Sequence, residues 1–201
     1  GSYVVEGLVR AGIEKFILID FDKIEKTNIN RQIIATTKTI GEYKVDVEEK
    51  RIKEINPKAK VVKYKEFIES KNNNEELFNE VKTADYIIDA VDTISAKIKI
   101  IEFANQNKIN IISALGTGNK LDPTKLKIDD IYNTKICPLA KVIRKELRKR
   151  KIEKLDVIYS EEEPIKINKK EENEKLIGSI SYVPSVAGLM ISYKVVMNII
   201  G

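Results

Sequence analysis

Two aspartates one residue apart, Asp20 and Asp22, close an apolar run, and eight residues past Asp22 begins an Asn30-Arg31-Gln32 cluster. A carboxylate at the carboxyl end of a buried strand faces the ligand crevice of an open sheet and can accept both hydroxyls of a ribose. Aspartate also suits any strand-to-loop turn, so neither residue alone decides the matter. Arg31 adds a planar cation flanked by two amides, a donor set shaped for phosphate oxygens. Lys44 follows Gly41 into the first turn of a predicted helix. A cation there opposes the helix dipole by roughly 0.3–1 kcal/mol, so it is either solvated or offset by a bound anion. Asp92 follows a predicted strand and precedes a helix, as an N-cap rivalled by Thr93 and Ser95 or as a magnesium ligand beside phosphates. Taken together, these groups describe a pocket for ATP and a metal rather than for a hydride cofactor.

Other chemistries are excluded by what the chain lacks. Its 201 residues contain no histidine, which removes a Ser-His-Asp triad, a Cys-His pair and imidazole zinc sites. The single cysteine, Cys137, rules out an internal disulfide. It stands before Pro138 at a helix start with no thiolate-stabilising partner in view, so it reads as a packing residue rather than a thioester nucleophile. No Cys-x-x-Cys occurs, so no zinc is expected. Thirty-six basic and 31 acidic residues give a net charge of +5 and a pI near 9.0, which permits an anionic partner without requiring one. Neither a secretory signal nor a run of about 18 apolar residues is present, so a reducing cytoplasm and no membrane insertion are the expectation.

Alternating strands and helices must position these groups. Val4, Leu8 and Ala11 mark a helix face ending at Gly12, and Phe16-Ile17-Leu18-Ile19 is a continuous apolar strand of the kind covered on both faces. Helices follow over about 42–55, 74–82 and 95–107, with strands near 61–64, 86–88 and 109–113. This order predicts an α/β fold, a doubly wound (Rossmann-like), mostly parallel sheet with helices on both faces. Residues 1–201 read as one domain, 1–120 being the nucleotide-binding half. In 121–201, the substrate and dimer half, a basic helix covers 138–151, a strand 157–159, a charged loop 166–175, and an apolar helix 182–200 that reads as core or interface. Such a fold normally opens with a strand and a glycine-rich phosphate loop, whereas this sequence opens at a helix. Gly1-Ser2 is therefore either a remnant of expression engineering or, as the spacing to Asp20 favours, the last glycine of a phosphate loop whose strand is missing. On that view the chain as given is inactive.

The set Asp20-x-Asp22, Asn28-x-Asn30-Arg31-Gln32, Gly41-x-x-Lys44 and Asp89-x-x-Asp92 resembles the adenylating domain shared by ubiquitin-activating enzymes and bacterial activators of sulfur-carrier proteins. The resemblance implies that Asp20 holds the ribose, that Arg31 and Lys44 hold phosphates, that Asp92 serves magnesium and pyrophosphate, and that Gly1, Asp22, Asn28, Asn30 and Gln32 complete the nucleotide site. It also implies attack of a carboxylate on the α-phosphate of ATP, and a homodimer. Residues Ala114-Leu115-Gly116-Thr117-Gly118, Asp122-Pro123-Thr124, Pro138-Leu139-Ala140 and Val157–Glu162 are similar to the branch that dehydrates threonylcarbamoyladenosine in tRNA. In that branch the activated acyl group is captured intramolecularly, so no enzymic nucleophile is needed.

Residues 141–154 carry eight basic and two acidic groups, and Lys141, Arg144, Lys145, Arg148 and Lys151 are candidates for contact with a tRNA backbone. Alternatively, Ile143 and Leu147 turn inward and the lysines are merely solvated. Two rival functions remain at this stage: an adenylyltransferase acting on the C-terminus of a ubiquitin-like or sulfur-carrier protein, and a non-catalytic nucleotide- or tRNA-binding module.

Overall fold

The computed structural model describes residues 1–68, 75–165 and 178–201. In chain order the elements are α1 (Ser2–Arg10), β1 (Lys15–Ile19), α2 (Lys44–Ile55), β2 (Lys60–Tyr64), α3 (Glu75–Val81), β3 (Tyr86–Asp89), α4 (Ile94–Asn107), β4 (Asn110–Ala114), β5 (Leu126–Asp130), α5 (Pro138–Lys149), β6 (Asp156–Ser160) and α6 (Tyr182–Ile200). Short 3₁₀ turns at Lys26–Asn28, Pro123–Lys125 and Ile131–Asn133 shape the loops. The expected charged loop at 166–175 lies outside the described residues.

β1 pairs in parallel with β2, and a second sheet runs β3-β4-β6-β5 with only β5 antiparallel. Among the described residues no ladder joins the two sheets, yet both contribute to the same cores. Phe16 and Leu18 on β1 pack with Ile112 of β4 and Ile158 of β6 against α1 and α6. Ile17 and Ile19, one residue out of phase, join Ile87 of β3 against α3 and α4. The period-2 alternation sends neighbouring residues to opposite faces, so helices on both sides explain the unbroken apolar run of β1. A third cluster holds α4 to α5 through Ile98, Ile101, Ile143 and Leu147.

β5 is absent from the sequence-based expectation. Only Leu126, Ile128 and the terminal Asp129-Asp130 alternate there, a weak signal suited to an edge strand. The helix end at Gly12 is as expected: with φ +93°, its N–H donates to Val9 O (3.1 Å) while Ile13 N–H reaches Leu8 O (3.1 Å).

α6 is long and apolar enough to span a membrane by length and composition, with 33% of its span buried. Here it serves as a core helix, crossing α1 closely. A Cβ at Gly188 would stand 2.7 Å from Tyr3 Cβ, and Ser192 Oγ, tied to Val4 O at 2.9 Å, fills the space over Gly7. Leu189, Tyr193, Met197 and Ile200 remain exposed along the opposite side of α6.

Candidate active site

Asp20 and Asp22 stand just past the carboxyl end of β1 and Asp92 just past that of β3, and Lys44 of α2 reaches the first two. Asp20 N–H continues the ladder to Tyr64 O (3.1 Å), and Asp20 Oδ1 accepts Asp22 N–H (2.9 Å), which turns the chain away from the strand. Burial pushes the Asp20 carboxyl above the ordinary carboxylate range, against the pull of the Asp22 N–H and of Lys44. Lys44, in the first turn of α2, places Nζ 2.6 Å from Asp22 Oδ2 and 3.9 Å from Asp20 Oδ2. Its charge is thus met by aspartates of the same site, an arrangement that neither alternative for Lys44 anticipated.

Arg31 has no carboxylate partner among the described residues. Its Nη1 donates to Thr27 O (2.7 Å) and Asn30 Oδ1 (3.0 Å), two neutral acceptors that orient the guanidinium without spending its charge. Asn30 in turn donates Nδ2 to Ser179 O (2.9 Å) and Oγ (3.2 Å), tying this loop to a segment 149 residues away. Asn28 is buried, and its Oδ1 accepts Glu25 N–H (3.0 Å), so it braces the 3₁₀ turn that presents Arg31. Gln32 Oε1 is buried with no hydrogen-bond partner among the described residues. Burial lowers the amino group of Gly1 below its ordinary value, and the charges of Glu48, Asp20, Asp92 and Lys44 also act on it.

Asp92 does not cap α4; Thr93 holds the N-cap position and Asp92 stands exposed just before it. Beneath it, Asp89 is wholly buried, with Oδ2 bonded to Lys97 Nζ (2.8 Å) and Ser113 Oγ and Oδ1 accepting Val91 N–H (3.1 Å). Among the described residues no group of three or more acidic or cysteine side chains could hold a metal alone. A lone exposed Asp92 is suited instead to a magnesium ion shared with nucleotide phosphates.

The ThiF family model matches residues 1–201. The chain belongs to the ThiF family. Within it, the tRNA threonylcarbamoyladenosine dehydratase of Bacillus subtilis (strain 168) is 39% identical over 215 aligned residues, covering 100% of this chain and 83% of that protein. The Haemophilus influenzae enzyme of the same name is 42% identical over 149 residues, covering 74% of this chain and 56% of that one. Among solved structures, the Escherichia coli tRNA N6-threonylcarbamoyladenosine dehydratase TcdA in complex with ATP has a TM-score of 0.84 at 28% identity, covering 100% of this chain and 82% of that chain. The Thermus thermophilus sulfur carrier protein adenylyltransferase is 31% identical, but over only 52% of this chain and 37% of that protein.

Several features of this ThiF-family chain escaped the sequence reading. Lys97 and Ser113, which neutralise and orient Asp89, sit in an apolar helix and an apolar strand, and only the inward register of position 97 on α4 marks its lysine out. Cys137 caps α5, its Sγ accepting Ala140 N–H at 3.5 Å, in keeping with a packing role. Ile143 and Leu147 turn inward on α5, as the alternative reading of this helix had it, and Lys141, Lys145, Arg148 and Lys151 are exposed. Arg144 corrects the basic-face expectation. Its Nη1 donates to Ile131 O (3.1 Å) and Thr134 O (3.0 Å), so it braces the preceding loop, because that loop turns its carbonyls toward α5. Arg150 and Lys149 are likewise paired, with Glu102 and Glu146.

Proposed function

We propose that this chain adenylates the threonyl carboxylate of threonylcarbamoyladenosine in tRNA with ATP and then closes the activated group onto the same base. The observation that carries the reading is the match over 100% of the chain to a dehydratase of that name. In the first step a carboxylate oxygen bonds to the α-phosphorus as its bond to pyrophosphate breaks. In the second, an internal nucleophile of the modified base attacks the acyl carbon and AMP leaves, carrying the carboxylate oxygen away. The RNA has then lost one water. A carboxylate is a poor electrophile and its adenylate a good one, and proximity supplies the rest. Activation by a histidine base is not called for.

Each residue has a task suited to its geometry. Asp20 receives the ribose hydroxyls, and Gly1, at the amino end of α1, borders the phosphates. Arg31, fixed by neutral acceptors and braced through Asn28 and Asn30, meets phosphate oxygens, with Gln32 beside it. Lys44 turns from Asp22 toward the charge that builds on the α-phosphate. Asp92 would hold a magnesium ion, which when bound would offset the negative charge of the phosphates. The exposed row Lys141, Lys145, Arg148 and Lys151 meets the tRNA backbone. The exposed apolar row on α6 is the surface for a second copy, which gives a homodimer, and the reaction belongs with tRNA in the cytoplasm. Residues 1–120 thus carry the nucleotide and 121–201 the RNA and dimer surfaces.

The test is mass spectrometry of nucleosides from tRNA incubated with the protein, ATP and magnesium. An adenosine derivative lighter by one water, formed only with ATP, supports the reading. An unchanged nucleoside from folded, ATP-binding protein would sink it and favour a protein C-terminus as substrate, the activity named for the Thermus relative.

A further inference from the structure

Arg31 is oriented from outside its own loop. Both hydrogens of its Nη1 are taken by neutral oxygens, Thr27 O at 2.7 Å and Asn30 Oδ1 at 3.0 Å. With Nη1 so occupied, the pair of donors that can grip an oxyanion as a fork is Nε and Nη2, and the two acceptors set the direction of that edge. Thr27 lies four residues earlier in the same loop and moves with Arg31. Asn30 Oδ1 is one end of a rotatable amide, and the other end donates to Ser179 O at 2.9 Å and to Ser179 Oγ at 3.2 Å. Only one setting of that amide works. A guanidinium is solely a donor and a carbonyl solely an acceptor, so the amide oxygen faces Arg31 and its nitrogen faces Ser179.

Ser179 is fixed in turn through its neighbour. Asn119 holds both backbone groups of Gly178: Asn119 N–H donates to Gly178 O (2.8 Å), and Asn119 Oδ1 accepts Gly178 N–H (2.6 Å). Asn119 has φ +56°, in the left-handed region that asparagine adopts more readily than most side chains. Just beyond it, Leu121 and Asp122 donate their N–H groups to the Glu162 carboxylate at 3.0 and 2.9 Å, and Glu162 N–H reaches Ser160 Oγ of β6 at 3.1 Å. The loop after β4 is thereby fastened to the sheet β3-β4-β6-β5, whose strand β3 leads to Asp92. Arg31 belongs to the loop after β1, in the other sheet.

We propose that Asn119 is a positioning residue for Arg31. Through Gly178, Ser179 and the Asn30 amide it sets the direction of the guanidinium relative to Asp92, across a boundary that no strand pairing spans among the described residues. The proposal rests on the reading above, in which Arg31 and Asp92 serve one nucleotide, and adds to it a residue that acts through another.

The test uses the full chain with Asn119→Gly, Asn119→Asp and Asn30→Asp. Glycine adopts the same left-handed backbone and removes only the Oδ1 acceptor, whereas aspartate keeps that acceptor. Asn30→Asp cuts the relay at its other end, because a carboxylate accepts from Arg31 and cannot donate to Ser179. A melting curve verifies each fold, and either end suffices. The readouts are the nitrogen–proton NMR signal of Arg31 Nε, identified by its loss in Arg31→Lys, and ATP affinity by calorimetry. Asn119→Gly and Asn30→Asp should each shift the Arg31 signal and speed its exchange with water. Asn119→Gly should weaken ATP binding about two- to tenfold, the value of one net hydrogen bond, with Asn119→Asp close to wild type. In an Arg31→Ala background Asn119→Gly should weaken it no further. An unmoved Arg31 signal in the folded variants would overturn the proposal, as would an equal loss of ATP affinity with and without Arg31. A moved signal with ATP affinity unchanged, in these variants and in Arg31→Ala alike, would support the relay and remove Arg31 from the nucleotide site, so the two failures are separable.

Discussion

Replacing Lys97 by methionine leaves the Asp89 carboxylate, with 0% side-chain exposure, facing only Ser113 Oγ and Val91 N–H. Removing one member of a buried pair costs about 3–5 kcal/mol because the other charge stays desolvated. In a domain of this size each kcal/mol lowers the melting temperature by about 2–4 °C, so Lys97→Met should melt about 6–20 °C lower. Asp89→Asn in the same background removes the stranded charge while its Oδ1 still accepts Val91 N–H. The double variant should therefore recover part of the loss, with a coupling energy of about 2 kcal/mol. The assay is urea unfolding of wild type, both single variants and the double variant at pH 7, followed by circular dichroism. Additive single effects, or a Lys97→Met loss below about 1 kcal/mol, would refute the idea that this pair is a desolvated unit. The network lies directly under Asp92, so the double variant also separates stability from function: folded but slow enzyme means that the register of Asp92 depends on Asp89.

Further expectations follow from the same geometry. Burial raises the Glu48 carboxyl to about 8, so it is protonated in the folded state at pH 7. Because this folded value exceeds the unfolded one, stability should decline as pH rises from about 4.5 to about 8 and level off above, and Glu48→Gln should flatten that slope in pH-dependent urea melts. Gly188→Ala would place a Cβ 2.7 Å from Tyr3 Cβ, so α1 and α6 must part; a drop of several degrees in melting temperature is expected, about the 1–3 kcal/mol of overpacking. Lys141→Ala with Lys145→Ala should weaken tRNA binding and reduce its salt dependence by about two counterions. Arg144→Ala should lower thermal stability with the salt slope unchanged.

What the sequence made legible was local. The βαβ order follows from period-2 runs alternating with helical faces, and the placing of Asp20 and Asp92 just past strand ends was readable because an apolar run that stops at an aspartate marks such an end whatever the rest of the chain does. β5 was not legible: an edge strand with two apolar positions looks like any polar segment. The task of Asn30 depends on Ser179, and that of Arg144 on carbonyls of a loop ten and thirteen residues earlier, contacts that no spacing rule supplies. Lys97 was hidden by abundance. In a chain with 36 basic residues, a buried lysine looks like a solvated one until burial itself is seen.

Asn119 also makes one backbone position the meeting point of two segments. Its carbonyl accepts Ile165 N–H (2.9 Å) and its N–H donates to Gly178 O (2.8 Å), so residues 13 apart in sequence are fastened to one residue of the loop after β4. A displacement of that loop is thereby passed to Gly178 and, through the next residue, to Ser179, the acceptor for Asn30 beside Arg31.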